Sequence, residues 1–399
     1  MTGDDELLGL AQQFRDLADQ VFGRLPLYRR LAEACASDLD VVARLRLAPS
    51  VHRVPNLLLA AVHDVLLAGR EDVLADWYPS IPGARGEDHH RARAVGHGTD
   101  DPWPHFRRLA LDDDRVAELL ATRATQTNEV GRSLALMPAL FQAGLAAGNP
   151  RGGIRPLGVV EVGASAGLNL RFGAYGYRYH LPPDPSGLGG TRTVIESVGA
   201  GSRLMLDAQL RGDRVPPLPE GALPVATAVG IDLAPLRVTR PADARWLVAC
   251  QWPEETERLD RLRAAIEQAA LAPPVVEEGD AVDDVGAHVR AVPGHALPVV
   301  VASWALCYLP VERQRAFLDE LDRLGGERDL ALVFAEQPER VPGLPVPPRS
   351  DGIADGRPTA LVRMAWQDGR RRAHRLADLH PHGRWIEWLD DSAATGALG

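Results

Sequence analysis

The chain has 399 residues, with 44 basic against 54 acidic side chains and a formal net charge of −10, the wrong sign for a nucleic-acid binder. All 44 basic residues are arginine; a guanidinium neither deprotonates at working pH nor forms a Schiff base, so pyridoxal, lysine-aldolase and Walker-lysine chemistries are excluded. The length accommodates about two to three domains with full hydrophobic cores, and Cys35, Cys250 and Cys307 lie too far apart to suggest a disulfide framework or a thiolate zinc site.

Residues 1–150 read as an all-helical N-terminal domain. Leu7, Leu10, Ala11, Phe14, Leu17, Ala18 and Val21 recur at three- and four-residue steps, which gathers them on one helical face. A second helix is expected after Pro55, with Asn56 as its cap and Gly69 as its stop. The longest apolar stretch, around Leu57–Leu67, contains His63 and Asp64 and falls short of the ~20 residues that span a bilayer. The first 20 residues are acidic and amphipathic, unlike an export signal. The expectation is a cytoplasmic protein without a membrane partner. Residues 79–104 have loop chemistry, and further helices are expected over Trp103–Leu120 and Ala121–Ala147. No strand is read in this half.

After residue 150 the pattern changes. Leu157–Val162, Ala226–Ile231, Pro274–Glu278, Pro298–Ala302 and Leu330–Ala335 are β-rich runs, mostly continuous in Val and Ile, as strands covered on both faces are. They alternate with helical segments at Glu254–Leu271, Ala281–Val292 and Val311–Leu324. That alternation predicts a doubly wound, Rossmann-like α/β domain over 151–399 with a mostly parallel sheet. Thr359–Gln367 and Arg371–Ala377, joined by Asp368-Gly369-Arg370, predict an antiparallel C-terminal hairpin. Residues 171–225 are rich in Gly and Pro and stand where a helix would be expected; they read as an insertion, a candidate flap over the site.

The run Glu161-Val162-Gly163-Ala164-Ser165-Ala166-Gly167-Leu168-Asn169-Leu170 describes a strand, a small-residue turn and a following helix. Its letters fit two chemistries. As a nucleophile elbow, Ser165 would attack an ester in a triad with Asp351 and His382. An α/β-hydrolase needs strands ahead of the elbow and an oxyanion donor from them, and none is read here. As a ligand loop, Gly163 permits the turn and Gly167 close approach, with free N–H groups pointing at the ligand. Glu161 is then an anionic group at the strand's end. Asp232 ends the second strand and Asp280 follows the third, so three carboxylates face the sheet edge where open α/β sheets bind ligands. Capping a turn or helix is the alternative role for Asp232 and Asp280.

The succession E-V-G-A-S-A-G, G-I-D-L-A-P, E-E-G-D-A and V-V-V-A-S-W-A-L-C-Y-L resembles the motifs of class I S-adenosylmethionine-dependent methyltransferases. Pro55–Gly69, Arg123–Arg132, Glu161–Leu170, Trp246–Arg258 and Leu379–Trp388 resemble the bacterial domain-of-unknown-function 2332 family over nearly the whole chain; that family implies no substrate. The methyltransferase resemblance implies S-adenosylmethionine as cofactor. It puts Gly163, Ser165 and Gly167 beside the methionine part, with Glu161 orienting it. Asp232 would accept from the ribose hydroxyls, Asp280 and Ala281 would meet the adenine, and Ser303 and Trp304 would border the reacting methyl. Glu161 and Asp232 are 71 positions apart, against about 20 in the related dinucleotide fingerprint.

Thr125–Arg132 concentrates polar groups in an expected apolar helix, with Asn128 and Arg132 sharing a face. Asn128 and Arg132 are candidates for holding a small-molecule acceptor, and Glu129 for taking its proton; the alternative is a polar network joining the helical half to the sheet. His382, in His380-Pro381-His382-Gly383, is the second catalytic candidate. No third ligand accompanies the two histidines, so no metal is expected. His63 reads as a satisfied core residue, and His89, His90 and His97 as solvated. The expected function is methyl transfer to a small molecule; the rivals are the Ser165 esterase, a non-catalytic binding or regulatory protein, and a nicotinamide dehydrogenase.

Overall fold

The computed structural model describes residues 3–81, 93–96, 100–149, 152–182, 193–197, 202–349 and 358–389. In chain order the helices are α1 (Gly3–Gln20), α2 (Pro26–Cys35), α3 (Leu39–Ala43), α4 (Pro55–Leu67), α5 (Trp103–Asp112), α6 (Asp114–Thr122), α7 (Ser133–Ala147), α8 (Pro241–Ala249), α9 (Thr256–Leu271), α10 (Val285–Ala291) and α11 (Val311–Glu327). The strands are β1 (Leu157–Val162), β2 (Gly176–His180), β3 (Thr193–Ser197), β4 (Met205–Arg211), β5 (Val225–Asp232), β6 (Val276–Glu278), β7 (Leu297–Ser303), β8 (Leu330–Glu336), β9 (Thr359–Gln367), β10 (Arg370–Leu379) and β11 (Trp385–Trp388). The contacts gather into two units. One comprises Met1–Thr127 with Thr239–Arg263, the other Asn128–Val238 with Ala264–Gly399. The division expected at residue 150 therefore moves to Thr127, because α7 packs against β7, β8 and β9.

The first unit is helical among its described residues. Pro55, with its preset φ, opens α4 after extended Val54, so Asn56 lies inside the first turn and is not the cap. Gly69 follows that helix with φ +90°. The helix expected over Trp103–Leu120 is two helices. Asp113 takes extended backbone and accepts from the N–H groups of Arg115 (2.9 Å) and Val116 (3.3 Å), which ends α5 and caps α6. The expected helix over Ala121–Ala147 is also interrupted: residues 123–129 are irregular, and a 3-10 turn at Val130–Arg132 leads into α7. Two β-branched threonines and a capping Glu129 favour that break.

In the second unit one eleven-stranded sheet runs β3-β2-β4-β11-β10-β9-β8-β7-β1-β5-β6. Its strands β6, β5, β1, β7 and β8 are mutually parallel. Numbered by appearance among themselves they stand 3-2-1-4-5, a doubly wound order whose direction reverses between β1 and β7. Then β9 and β10 add antiparallel, through a turn in which Asp368 (φ +51°) and Gly369 (φ +70°) both take left-handed backbone, as a two-residue hairpin requires. The insertion does not form a flap in its described part. β2, β3 and β4 extend this same sheet beyond β11. Tyr175, Tyr177 and Tyr179 bury their rings and donate their hydroxyls to the carbonyls of Leu168 (2.7 Å), Phe172 (2.6 Å) and Leu134 (2.7 Å).

Alternate residues of the sheet face different layers. Val160, Val162, Val300, Ala302, Leu332 and Phe334 join α10 and α11 in one core, and α7 packs along β7–β10. Among the described residues Val130–Ala147, rather than Leu57–Leu67, is the longest apolar helical segment; it is long enough to cross a membrane, but 78% of it is buried inside the protein.

His63, inside α4, is a core residue. Its Nδ1 lies 3.0 Å from the Ala249 carbonyl and its Nε2 2.7 Å from Ser80 Oγ. Burial holds the imidazole down at about 4 against an ordinary 6.5. A depressed histidine contributes stability above pH 6.5 that is lost as pH falls through 4. Urea unfolding of the wild type is expected to lose about 2 kcal/mol between pH 6.5 and 5 relative to His63→Gln; parallel pH profiles for the two proteins would refute this.

Candidate functional site

The end of β1 and the end of β7 meet at the point where strand order reverses, the place where open α/β sheets bind ligands. Here Gly163 (φ +67°) bends the chain out of β1, and a Cβ on it would stand 2.5 Å from Ala305 Cβ, just past β7. Gly167 (φ +71°) likewise lies against Pro274 and Val276. Both glycines are thus required by backbone and by space. Ser165 also takes left-handed backbone, φ +54°. The segment after Gly167 is a 3-10 turn, Leu168–Ala174, and not the expected α-helix.

Of the five N–H groups of the loop Gly163–Gly167, four are occupied. Gly163 and Ala164 donate to the Ile231 carbonyl (2.9 and 3.2 Å), Ser165 to Asp232 Oδ2 (2.7 Å), Gly167 to the Ala164 carbonyl (2.7 Å) and Leu168 to Asn128 Oδ1 (2.8 Å). The expectation of free donors aimed at a ligand is therefore corrected: these atoms lock the bend to β5 and to Asn128. A pyrophosphate cradle needs several such donors unpaired, and here four of the five in Gly163–Gly167 are spent within the protein.

Glu161, the penultimate residue of β1, is buried. Its carboxyl accepts from Asn169, whose own Oδ1 accepts from Ser133 Oγ at 3.0 Å, and its Oε2 has no hydrogen-bond partner. Desolvation pushes the carboxyl up to about 8; Asn169 and Arg132 oppose this and Asp232 reinforces it. Glu336, ending β8, is a second buried acid. Its Oε1 accepts from the N–H groups of Ala305 (2.8 Å) and Leu306 (2.9 Å), and burial raises its pKa above the ordinary value. Arg132 lowers both acids electrostatically. Its guanidinium donates to the Ser303 carbonyl (2.9 Å), Ser303 Oγ (3.3 Å) and the Pro381 carbonyl (3.0 Å). Two buried carboxyls thus share one arginine.

Trp304 follows with φ +50°; its indole N–H donates to Thr359 Oγ1 at 3.0 Å, and the guanidinium carbons of Arg132 and Arg340 stand 5.8 and 5.6 Å from its ring centre. Glu129 Oε1 accepts from the Gly131 N–H (3.2 Å), and its Oε2 is 3.4 Å from His382 Nδ1. The 3-10 turn places Glu129 in extended backbone, so the helical-face geometry expected for Asn128, Glu129 and Arg132 does not hold; the chain brings them to the sheet edge by another route.

Asp232 and Asp280 carry the capping roles held open for them. Asp232 Oδ1 accepts from the Ala234 N–H at 2.9 Å, its other oxygen being the one that holds Ser165. Asp280 Oδ1 accepts from the N–H groups of Val282 (2.7 Å) and Asp283 (3.1 Å) and pairs with Arg313. Asp280 and Ala281 follow β6, two strand spacings or about 10 Å from β1. Asp351, His89, His90 and His97 lie outside the described residues. Asn169, Ser133 and Glu336 escaped sequence reading; Asn169 left a faint signal as a polar residue inside an apolar run.

A family model described as "Uncharacterized protein conserved in bacteria (DUF2332)" matches residues 11–388. The chain belongs to that family. No curated protein and no solved structure matches it.

Because the folded pKa of Glu161 lies above its unfolded value, its contribution to stability is present below pH 4.5 and is lost as pH rises through 8. Glu161→Gln is expected to melt near the wild-type temperature at pH 4.5 and to gain on the order of a few kcal/mol over it by pH 9. A constant difference across pH would mean that the carboxyl is not held neutral.

Proposed function

We propose that the second unit of this DUF2332 protein binds S-adenosylmethionine at the β1–β7 switch point and passes its methyl group to a small-molecule acceptor. The observation that carries the reading is the buried, partnerless Oε2 of Glu161 in a site with more carboxyls than cations. A ligand with a sulfonium and an ammonium supplies the missing charge. That four of the five loop donors are occupied supports the same choice, since this ligand has no phosphate to be held, whereas a nicotinamide dinucleotide does. Among the described residues no strand precedes β1, which leaves a Ser165 esterase without the upstream oxyanion donor it requires.

In this reading Glu161 receives the methionine ammonium and Gly163, Ser165 and Gly167 form the floor beside it. The remaining lone pairs of Asp232 meet the ribose hydroxyls, charge-assisted bonds contributing about 1.5–3 kcal/mol each. Asp280 and Ala281 border the adenine, in keeping with the lateral distance from β1. The bound sulfonium supplies an electrophilic methyl. Ser303 and Trp304 wall the side where the acceptor approaches, Asn128 and Arg132 position it, and the Glu129–His382 pair takes its proton, worth about 10²–10⁴ in rate. In-line alignment and exclusion of water supply the rest.

Calorimetric titration with S-adenosylmethionine and its demethylated product is expected to give saturable heat for both compounds, weakened by Asp280→Ala. Affinity for S-adenosylmethionine is expected to rise about tenfold from pH 6 to pH 7 as the ligand meets the cost of ionising Glu161, and Glu161→Gln is expected to abolish that rise. Absence of heat with either compound contradicts the reading. Radiolabelled methyl transfer then separates an enzyme from a sensor.

A further inference from the structure

At the opposite edge of the sheet lies a cleft of about 610 Å³, between the starts of β7 and β8, the end of α7 and the β9–β10 hairpin. Its chemistry is unlike that of the switch point. In the antiparallel register His374 stands opposite Arg363, Arg372 opposite Ala365 and Arg370 opposite Gln367, so all four basic residues share one face of the hairpin and all line the cleft. Arg363 lies at its buried end and donates to the Gln142 carbonyl at 3.2 Å. Arg370 and Arg372 form no ion pair among the described residues, whereas Arg371, on the other face of the strand, pairs with Asp322 at 2.7 Å. Two carboxylates line the cleft, Asp329 and Asp368. Arg155 pairs with the first at 3.4 Å, which leaves Arg370 and Arg372 facing one carboxylate.

Two neighbouring arginines without an ion pair among the described residues, Arg370 and Arg372, are unexpected in a chain with a net charge of −10. Like charges at alternate positions of one strand repel, and natural surfaces intersperse opposite signs to relieve this. The other wall is apolar, formed by Leu297, Leu330 and the alanines that end α7. The partial negative charge at that helix end directs an anion to the β10 side. A 610 Å³ cleft with an apolar wall and a few convergent polar groups has the dimensions of a small-molecule site, and planar guanidinium groups in a row match paired phosphate or carboxylate oxygens. We infer that this cleft binds a small organic anion bearing phosphate or paired carboxylate groups, with its carbon skeleton against the α7 wall. This site is independent of the methyl-transfer reading.

The test is calorimetric titration of the full chain at low ionic strength with pyrophosphate, citrate and ribose 5-phosphate. At least one is expected to bind with a millimolar or tighter dissociation constant, and the double variant Arg370→Ala/Arg372→Ala to weaken it at least tenfold. Arg371→Ala, which removes a cation from the opposite face, is the control and should leave binding unchanged. Circular dichroism establishes that the variants are folded; the single Arg372→Lys variant, which keeps the charge and loses the fork, should bind with intermediate affinity. Preference for pyrophosphate assigns a phosphate ligand and preference for citrate a carboxylate. Failure of all three anions to bind, or equal loss in Arg371→Ala and the double variant, overturns the inference.

Discussion

The physical constraint on which this molecule turns is one carboxyl taken out of water with half of its hydrogen-bonding capacity unused. An isolated buried carboxylate costs many kcal/mol, and the group shifts its pKa and takes up a proton instead. Glu161 does this, at about 8. A methyl or amide group would fill the space without the penalty, so the acid is a stability loss that function accounts for. Its position sharpens the point: the doubly wound order makes the β1–β7 edge a crevice, and Glu161 is the acid that the β1 strand carries there.

Around that carboxyl the structure is rigid and electrically short of positive charge. Glycine bend, β5 terminus and Asn128 are joined by hydrogen bonds from the loop's main-chain N–H groups that leave the loop little freedom. Arg132 ties the approach to α7 to the end of β7 and to the Pro381 carbonyl while it serves two acids. Preorganisation of this kind binds a ligand without a reorganisation cost. Under the proposed reading it would also select by charge, because only a cationic ligand favours the ionised form of Glu161.

Much of this was legible in the residues. Continuous apolar runs marked β1, β7 and β8, and Asp368-Gly369 marked the hairpin, because burial on both faces and left-handed backbone each demand particular side chains; β5 was marked by its apolar run although its start is exposed. The insertion was not legible as sheet: its Gly and Pro content masked the alternation in Gly176–His180 and Met205–Arg211, and pairing with β11 is a long-range event that local sequence does not encode. Thr125–Glu129 misled in the opposite direction. Flanking apolar residues extended a helical pattern across it, while the Glu129 side chain capped the next turn. At the site, Glu161, Gly163 and Gly167 were found by motif, but the occupation of the loop donors and the Ser133–Asn169–Glu161 chain depend on contacts between segments and were not.

The protonation state of Glu161 is open to direct observation by infrared difference spectroscopy of the wild type against Glu161→Gln at pH 7. A protonated-carboxyl band that is present in the free wild-type protein, absent in the variant and abolished by saturation with S-adenosylmethionine is the predicted result. A carboxylate already ionised before ligand is added, or a protonated band that survives saturation, would contradict the assignment of Glu161 as the group that meets the ligand's positive charge.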